Sequence, residues 1–187
     1  MTGRQHLALL RGINVGGKNI IKMADLKASL EDVGFNDVAT YIQSGNVLFA
    51  APEADAAGLT STIESALSQR FSYESRIVVV PHPQLRKAVD RAPRGFGKKP
   101  TEFRYDVIFL RPSLSASEAM KSISTNEGVD QAWPGDGVVY FSRLIEKATQ
   151  SRLSRLVGMP VYQDMTIRNW NTTTKLLELM DARAESG

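Results

Sequence analysis

Cysteine is absent from all 187 residues, which excludes a disulfide framework and any thiolate metal site. Histidine is nearly absent: His6 and His82 are the two in the chain. Neither has a ligand-like partner at short spacing, so no metal is expected. No apolar run approaches the roughly 18 residues needed to cross a membrane. The stretch from Met1 to Arg11 is too poor in apolar residues for a secretory leader, so a cytoplasmic location is expected. Charge of one sign is also lacking. Lys and Arg number 23 against 20 Asp and Glu, a net +3, and that balance alone gives no reason to expect nucleic acid. The nucleophile elbow G-x-S-x-G and the zinc motif H-E-x-x-H do not occur. No cofactor is called for, and whether the protein is an enzyme stays open.

What is present describes an ordinary globular chain. Hydrophobic residues make up 42% and charged residues 23%, too apolar for disorder and long enough for one substantial core or two small ones. Gln5 to Arg11 reads as a buried strand and Met23 to Val33 as a helix stopped by Gly34. Asp37 to Gln43 and Asn46 to Ala50 read as strands joined at Ser44-Gly45, a hairpin signal. Leu59, Ile63, Ala66, Leu67 and Arg70 outline a helix, Ser75 to Val80 a strand, and Gln84 to Asp90 a closing helix.

The second half repeats this order. Tyr105 to Arg111 is a strand, and Ser115 with Glu118 opens a helix to Ile123 through a capping box. Gly135-Asp136-Gly137 turns into Val138 to Phe141. A helix near Gln150 to Val157, a strand from Asp164 to Arg168 and a helix from Asn171 to Ala182 follow. Matching positions (Arg11 with Arg111, Phe49 with Phe141, Ile77 with Ile167) lie roughly 90 to 100 residues apart, a period of duplicated domains rather than of a solenoid. The fold expected is α+β, a tandem duplication of ferredoxin-like βαββαβ units, each with an extra trailing helix. The first repeat spans 1–92 and contains the glycine-rich loop. A basic linker follows at 93–103, and the second repeat spans 104–187. In the first strand His6, Ala8 and Leu10 share one face and Leu7 and Leu9 the other, so both faces need covering. A trailing helix, the other repeat or a partner subunit would supply the cover; oligomeric state is open.

The loop after the first strand, RGINVGGKN, carries three glycines, two asparagines and two cations. Glycine adopts unusual backbone conformations at little cost, so such a loop can turn N–H groups toward an anion. It can equally be a tight connection. The first and second strands run the same way in this topology, which brings the loop to the end of the sheet that carries the Ser44-Gly45 hairpin. Arg11, Asn14, Gly16, Gly17, Lys18 and Asn19 would then meet Ser44 and Asn46 as a rim for a small phosphorylated or carboxylated ligand. The loop is neither a P-loop nor a dinucleotide fingerprint.

The chain resembles a known family. The motifs RGINVGGKN (11–19), MADLK (23–27), TYIQSGNVLF (40–49) and RNWNT (168–172) are together similar to the uncharacterised bacterial proteins called domain of unknown function 1697. The likeness spans nearly the whole chain. It implies a small cytoplasmic α/β protein of two related halves and carries no substrate.

Two further segments compete with the rim. In RNWNT, Asn169 or Asn171 is a natural helix N-cap, which leaves Arg168 and Trp170 near a positive helix end; Arg168 and Asn169 are the candidate ligand-binding residues, and an asparagine that only caps with Trp170 packed on the core is the favoured plain alternative. From Arg86 to Arg104 seven cations face two acids. This strip, with Lys98 and Lys99, is the place for nucleic acid if any is bound, though a solvated basic linker is favoured. An enzyme acting on phosphorylated metabolites at the rim is the remaining alternative.

Overall fold

The structure, a computed structural model, describes residues 3–14, 17, 19–52, 55–72 and 74–186. Its elements are β1 (Arg4–Leu10), α1 (Met23–Asp32), β2 (Asn36–Tyr41), β3 (Asn46–Ala51), α2 (Ala56–Phe71), β4 (Ile77–Pro81), α3 (His82–Asp90), β5 (Phe103–Leu110), α4 (Ala116–Ser122), β6 (Asp130–Pro134), β7 (Val138–Leu144), α5 (Leu153–Val157), β8 (Met165–Asn169) and α6 (Trp170–Ser186). The strands form two four-stranded sheets, in the orders β2-β3-β1-β4 and β6-β7-β5-β8. Every pairing is antiparallel. The two sheets share one order, so the repeat read from the sequence reappears as two similar α+β units.

Each sheet is built on a strand too apolar to leave either face wet. In β1, Ala8 and Leu10 join Val47, Phe49, Val79 and the buried sides of α1 and α2 in one core. Leu7 and Leu9, on the opposite face, are 0% exposed as well. Both faces of β1 are therefore buried within the single chain. Each such Leu or Phe contributes roughly 1.5–3 kcal/mol on leaving water. In the second sheet, Ile108, Leu110, Val139 and Phe141 pack against α4 and α5.

The chain forms two compact units that are not simple halves. The first comprises Met1–Pro83 with Leu176–Gly187, the second Gln84–Lys175. Both 92 and 104, where the sequence suggests boundaries, thus fall inside the second unit. Within the first unit, the end of α6 is held by His82, whose Nε2 lies 2.6 Å from Asp181, and by Arg183, which donates to the backbone carbonyl of Asp37.

In the second unit the basic segment after α3 is packed rather than free. Phe96 is buried, with its ring 4.8 Å from Tyr105, 5.1 Å from Trp170 and 5.4 Å from Tyr140. Gly97 beside it has φ +79°, and a methyl group there would overlap the Trp170 indole, so glycine is required on both counts. Tyr140 donates to the carbonyl of Ala88 at 2.6 Å, tying α3 to β7. Burial pushes that phenol up to about 12.

Local signals place the helix ends. Ser115 caps α4 in a capping box, accepting from Glu118 N at 3.3 Å while its own N–H donates to Glu118 Oε2 at 3.1 Å. These bonds to Ser115 hold the Glu118 carboxyl below its ordinary value. Asp55 caps α2, accepting from Gly58 N at 2.5 Å, and Asn169 caps α6, accepting from Thr172 N at 2.7 Å.

Candidate functional site

The rim read from the sequence is drawn together in the first unit. Leu10 N donates to Gly45 O at 2.8 Å, and Asn14 Nδ2 donates to Gln43 O at 3.0 Å, so the loop touches the hairpin tip. A methyl group at Gly45 would come to 2.7 Å from Leu10 Cβ and 2.9 Å from Ile13 Cδ1; only glycine allows this approach. The asparagines, however, brace the backbone. Asn14 also bonds the carbonyl and the N–H of Ile21. Asn19 donates to Gly12 O, and Asn46 to Tyr41 O and Ser44 Oγ. Arg11 is half-buried, and its backbone N–H donates to Arg76 O at 3.1 Å. Gly17 and Asn19 are exposed at φ +75° and +48°. Gly16 and Lys18 lie outside the described residues. The turn also holds Ile42 at φ +50°, a conformation costly for a β-branched side chain.

A second constellation lies within the second unit, at the opposite end of its sheet from the loop equivalent to this rim. The pairing of β5 with β8 stops at Asp106 and Asn169, while β5 continues back to Phe103 beside β7. Along this open stretch is a cavity of about 440 Å³, lined by Arg104 and Asp106 of β5, Arg143 of β7, and Asn169, Trp170 and Asn171 at the start of α6. Phe103, Tyr105 and Pro100 complete its wall. Alternation along the strands explains the grouping. Arg104 stands opposite Arg143 on β7, and Asp106 opposite Asn169 on β8, so their side chains leave the same face.

The electrostatics of this cavity are unusual for a sheet end. Asp106 is 7% exposed, and burial raises its carboxyl above the usual carboxylate range while Arg143 and Arg104 pull it back. The nearest Arg143 nitrogen is 3.5 Å from Asp106 Oδ2. Yet among the described residues neither Asp106 Oδ2 nor Arg143 Nε has a hydrogen-bond partner. Asn169 aims the first turn of a 17-residue helix at the same space, adding a partial positive charge. The cavity can therefore hold an oxyanion between two guanidinium groups and a helix end, beside a buried acceptor.

Of the residues RNWNT suggests, Asn169 lines the cavity. Arg168 leaves the other face of β8. It is 8% exposed and donates to Thr166 Oγ1 and the Ile167 carbonyl, both at 2.9 Å, with burial lowering its guanidinium to about 10. Arg104 ends the basic strip, but Asp106 and Arg143 were not legible as site residues. The one available signal was an acid, Asp106, within the otherwise apolar stretch Tyr105 to Leu110. Elsewhere in the strip, Lys99 lies 3.2 Å from Glu102, and Arg91, Arg94 and Lys98 are exposed. Among the described residues no group of three or more His, Asp or Glu is placed to hold a metal, and no helix is long and apolar enough to cross a membrane.

Fold and site together define an α+β protein of two antiparallel four-stranded sheets. The sequence pattern of the family described as "Protein of unknown function (DUF1697)" matches residues 4–140, and the chain belongs to that family. Among solved structures it is similar to a conserved bacterial protein from Streptococcus pneumoniae, with a TM-score of 0.80 and 23% identity over 95% of this chain and 98% of that one. At that identity the likeness speaks for the fold alone. No curated protein matches the chain.

Proposed function

We propose that this protein binds a small anionic ligand, phosphorylated or carboxylated, in the cavity of its second unit. The observation that carries the reading is the lining of one cavity by two arginines, Arg104 and Arg143, and the first residues of α6. Arg104 and the start of α6 supply the charge complement. A volume of about 440 Å³ lies within the range of small-molecule sites.

The rim at Arg11, Asn14, Gly16, Gly17, Lys18, Asn19, Ser44 and Asn46 is the second reading, supported by the contact between Asn14 and Gln43. It ranks second because its amides already hold carbonyl oxygens. The shared strand order of the two sheets supports the finer architectural reading, a duplicated ferredoxin-like unit. The lack of cysteine fits a cytoplasmic setting.

Thermal unfolding in inorganic phosphate separates the two sites. A ligand at a hundred times its Kd stabilises by about 2.7 kcal/mol, a shift of several degrees. Arg104→Ala is expected to abolish that shift and Arg11→Ala to leave it intact. The reverse pattern moves the ligand to the rim, and no phosphate shift in the unaltered protein removes both sites.

A further inference from the structure

The cavity is lined by both signs of charge, and a bare anion would use only one. Asp106 is 7% exposed and its Oδ2 receives no hydrogen bond. Arg143 is its ion-pair partner through Nη2 at 3.5 Å, and the buried Nε of Arg143 has no hydrogen bond among the described residues. Both residues also line the cavity, where a ligand group can donate to the carboxylate and accept from the guanidinium.

The spacing of the charges sets the scale of such a molecule. Arg104 precedes Asp106 by two residues on one face of β5, roughly 7 Å along the strand, and Asn169 stands opposite Asp106. Arg104 has the reach to bring its guanidinium back toward the carboxylate, so a molecule of a few heavy atoms touches both. Building on the anion-binding reading, we infer that the ligand is a small acid with an amino or hydroxyl group on the carbon next to its oxyanion. The oxyanion lies on Arg104 and Arg143, and the donor lies on the Asp106 carboxylate where it lines the cavity. The cavity, about 440 Å³, exceeds what one oxyanion fills, and Phe103 and Trp170 offer apolar wall to the rest of the molecule.

Propionate, lactate and alanine share one skeleton and differ only in the C2 substituent, so calorimetric titration with the three isolates the donor. Lactate and alanine are expected to bind about tenfold or more tighter than propionate, the size of one hydrogen bond to a charged group. Asp106→Leu, close in volume and without an acceptor, is expected to erase that advantage and still bind propionate. Asp106→Asn is expected to keep a preference for lactate and lose the one for alanine; circular dichroism of both variants reports that the fold is retained. Equal affinity for the three acids overturns this inference and leaves the anion-binding reading standing. So does an alanine preference that survives Asp106→Leu. If none of the three binds and inorganic phosphate does not bind either, both fail.

Discussion

His6 in the first sheet and Asp106 in the second occupy the same position. His6 lies opposite Phe49 on β3 and Pro81 on β4; Asp106 lies opposite Phe141 on β7 and Asn169 on β8. Both are buried, at 3% and 7% exposure, and both have side-chain atoms without hydrogen-bond partners among the described residues. Burial drives each toward its neutral form, His6 downward and Asp106 upward. Their neighbourhoods differ. The His6 ring stacks 5.5 Å from Phe49, with Arg4 adding to the depression. Asp106 opens onto the cavity between Arg104 and Arg143. One repeat has filled this position with an aromatic stack, and the other has kept it polar and paired with arginine.

The two residues bend the pH dependence of stability in opposite directions. For His6 the native value lies below 6.5, so below that pH the unfolded chain takes up a proton that the native chain refuses. Stability then falls as the pH is lowered through that value. His6→Leu keeps the apolar contact with Phe49 and is expected to flatten the loss between pH 7 and 5, measured by urea unfolding. For Asp106 the native value lies above 3.8. The native chain holds its proton longer, and its contribution falls as the pH rises from there. A His6→Leu variant with the same acid slope as the unaltered protein would contradict this account.

Tyr140 is the polar link between α3 and the second sheet. Its hydroxyl donates to Ala88 O at 2.6 Å from a side chain that is 2% exposed. Tyr140→Phe leaves that carbonyl without its donor, and a loss of about 1–2 kcal/mol is expected. Hydrogen exchange should show the change concentrated in α3. An unchanged unfolding midpoint would mean that water replaces the bond at no cost.

Ile42 offers a gain rather than a loss. It stands at φ +50° and is 49% exposed, so it bears left-handed backbone strain while burying little. Asparagine tolerates that region far better, and Ile42→Asn is expected to stabilise the protein by about 1 kcal/mol. Chemical denaturation checks it. A destabilised variant would show that the exposed isoleucine has a packing role outside the turn.

What the sequence made legible was what is local or periodic. Ser115 and Glu118 announce their capping box by spacing alone, and Gly45 marks the hairpin because no other residue fits against Leu10. The repeat is visible because Arg11 and Arg111, or Phe49 and Phe141, recur at a nearly constant interval. Strand β6 was not visible: Asp130–Pro134 begins with an acid, ends in proline and lacks alternation. It is a strand because Trp133 pairs with Tyr140, which is a tertiary fact. The cavity was hidden for the same reason. Arg104 read as the end of the basic strip and Asp106 as part of a strand, and only the end of the β8 pairing at Asn169 shows that the two line one cavity. Conversely, the asparagines of the loop looked like ligand donors, whereas they donate to the carbonyl groups of Ile21, Gln43 and Gly12.

Amide shift mapping during titration with inorganic phosphate tests the central claim most directly. Saturable shifts are expected at Arg104, Tyr105, Asp106, Asn169 and Asn171, abolished by Arg104→Ala. Shifts confined to Arg11–Asn14 and Ser44–Asn46, or none that saturate, would contradict it.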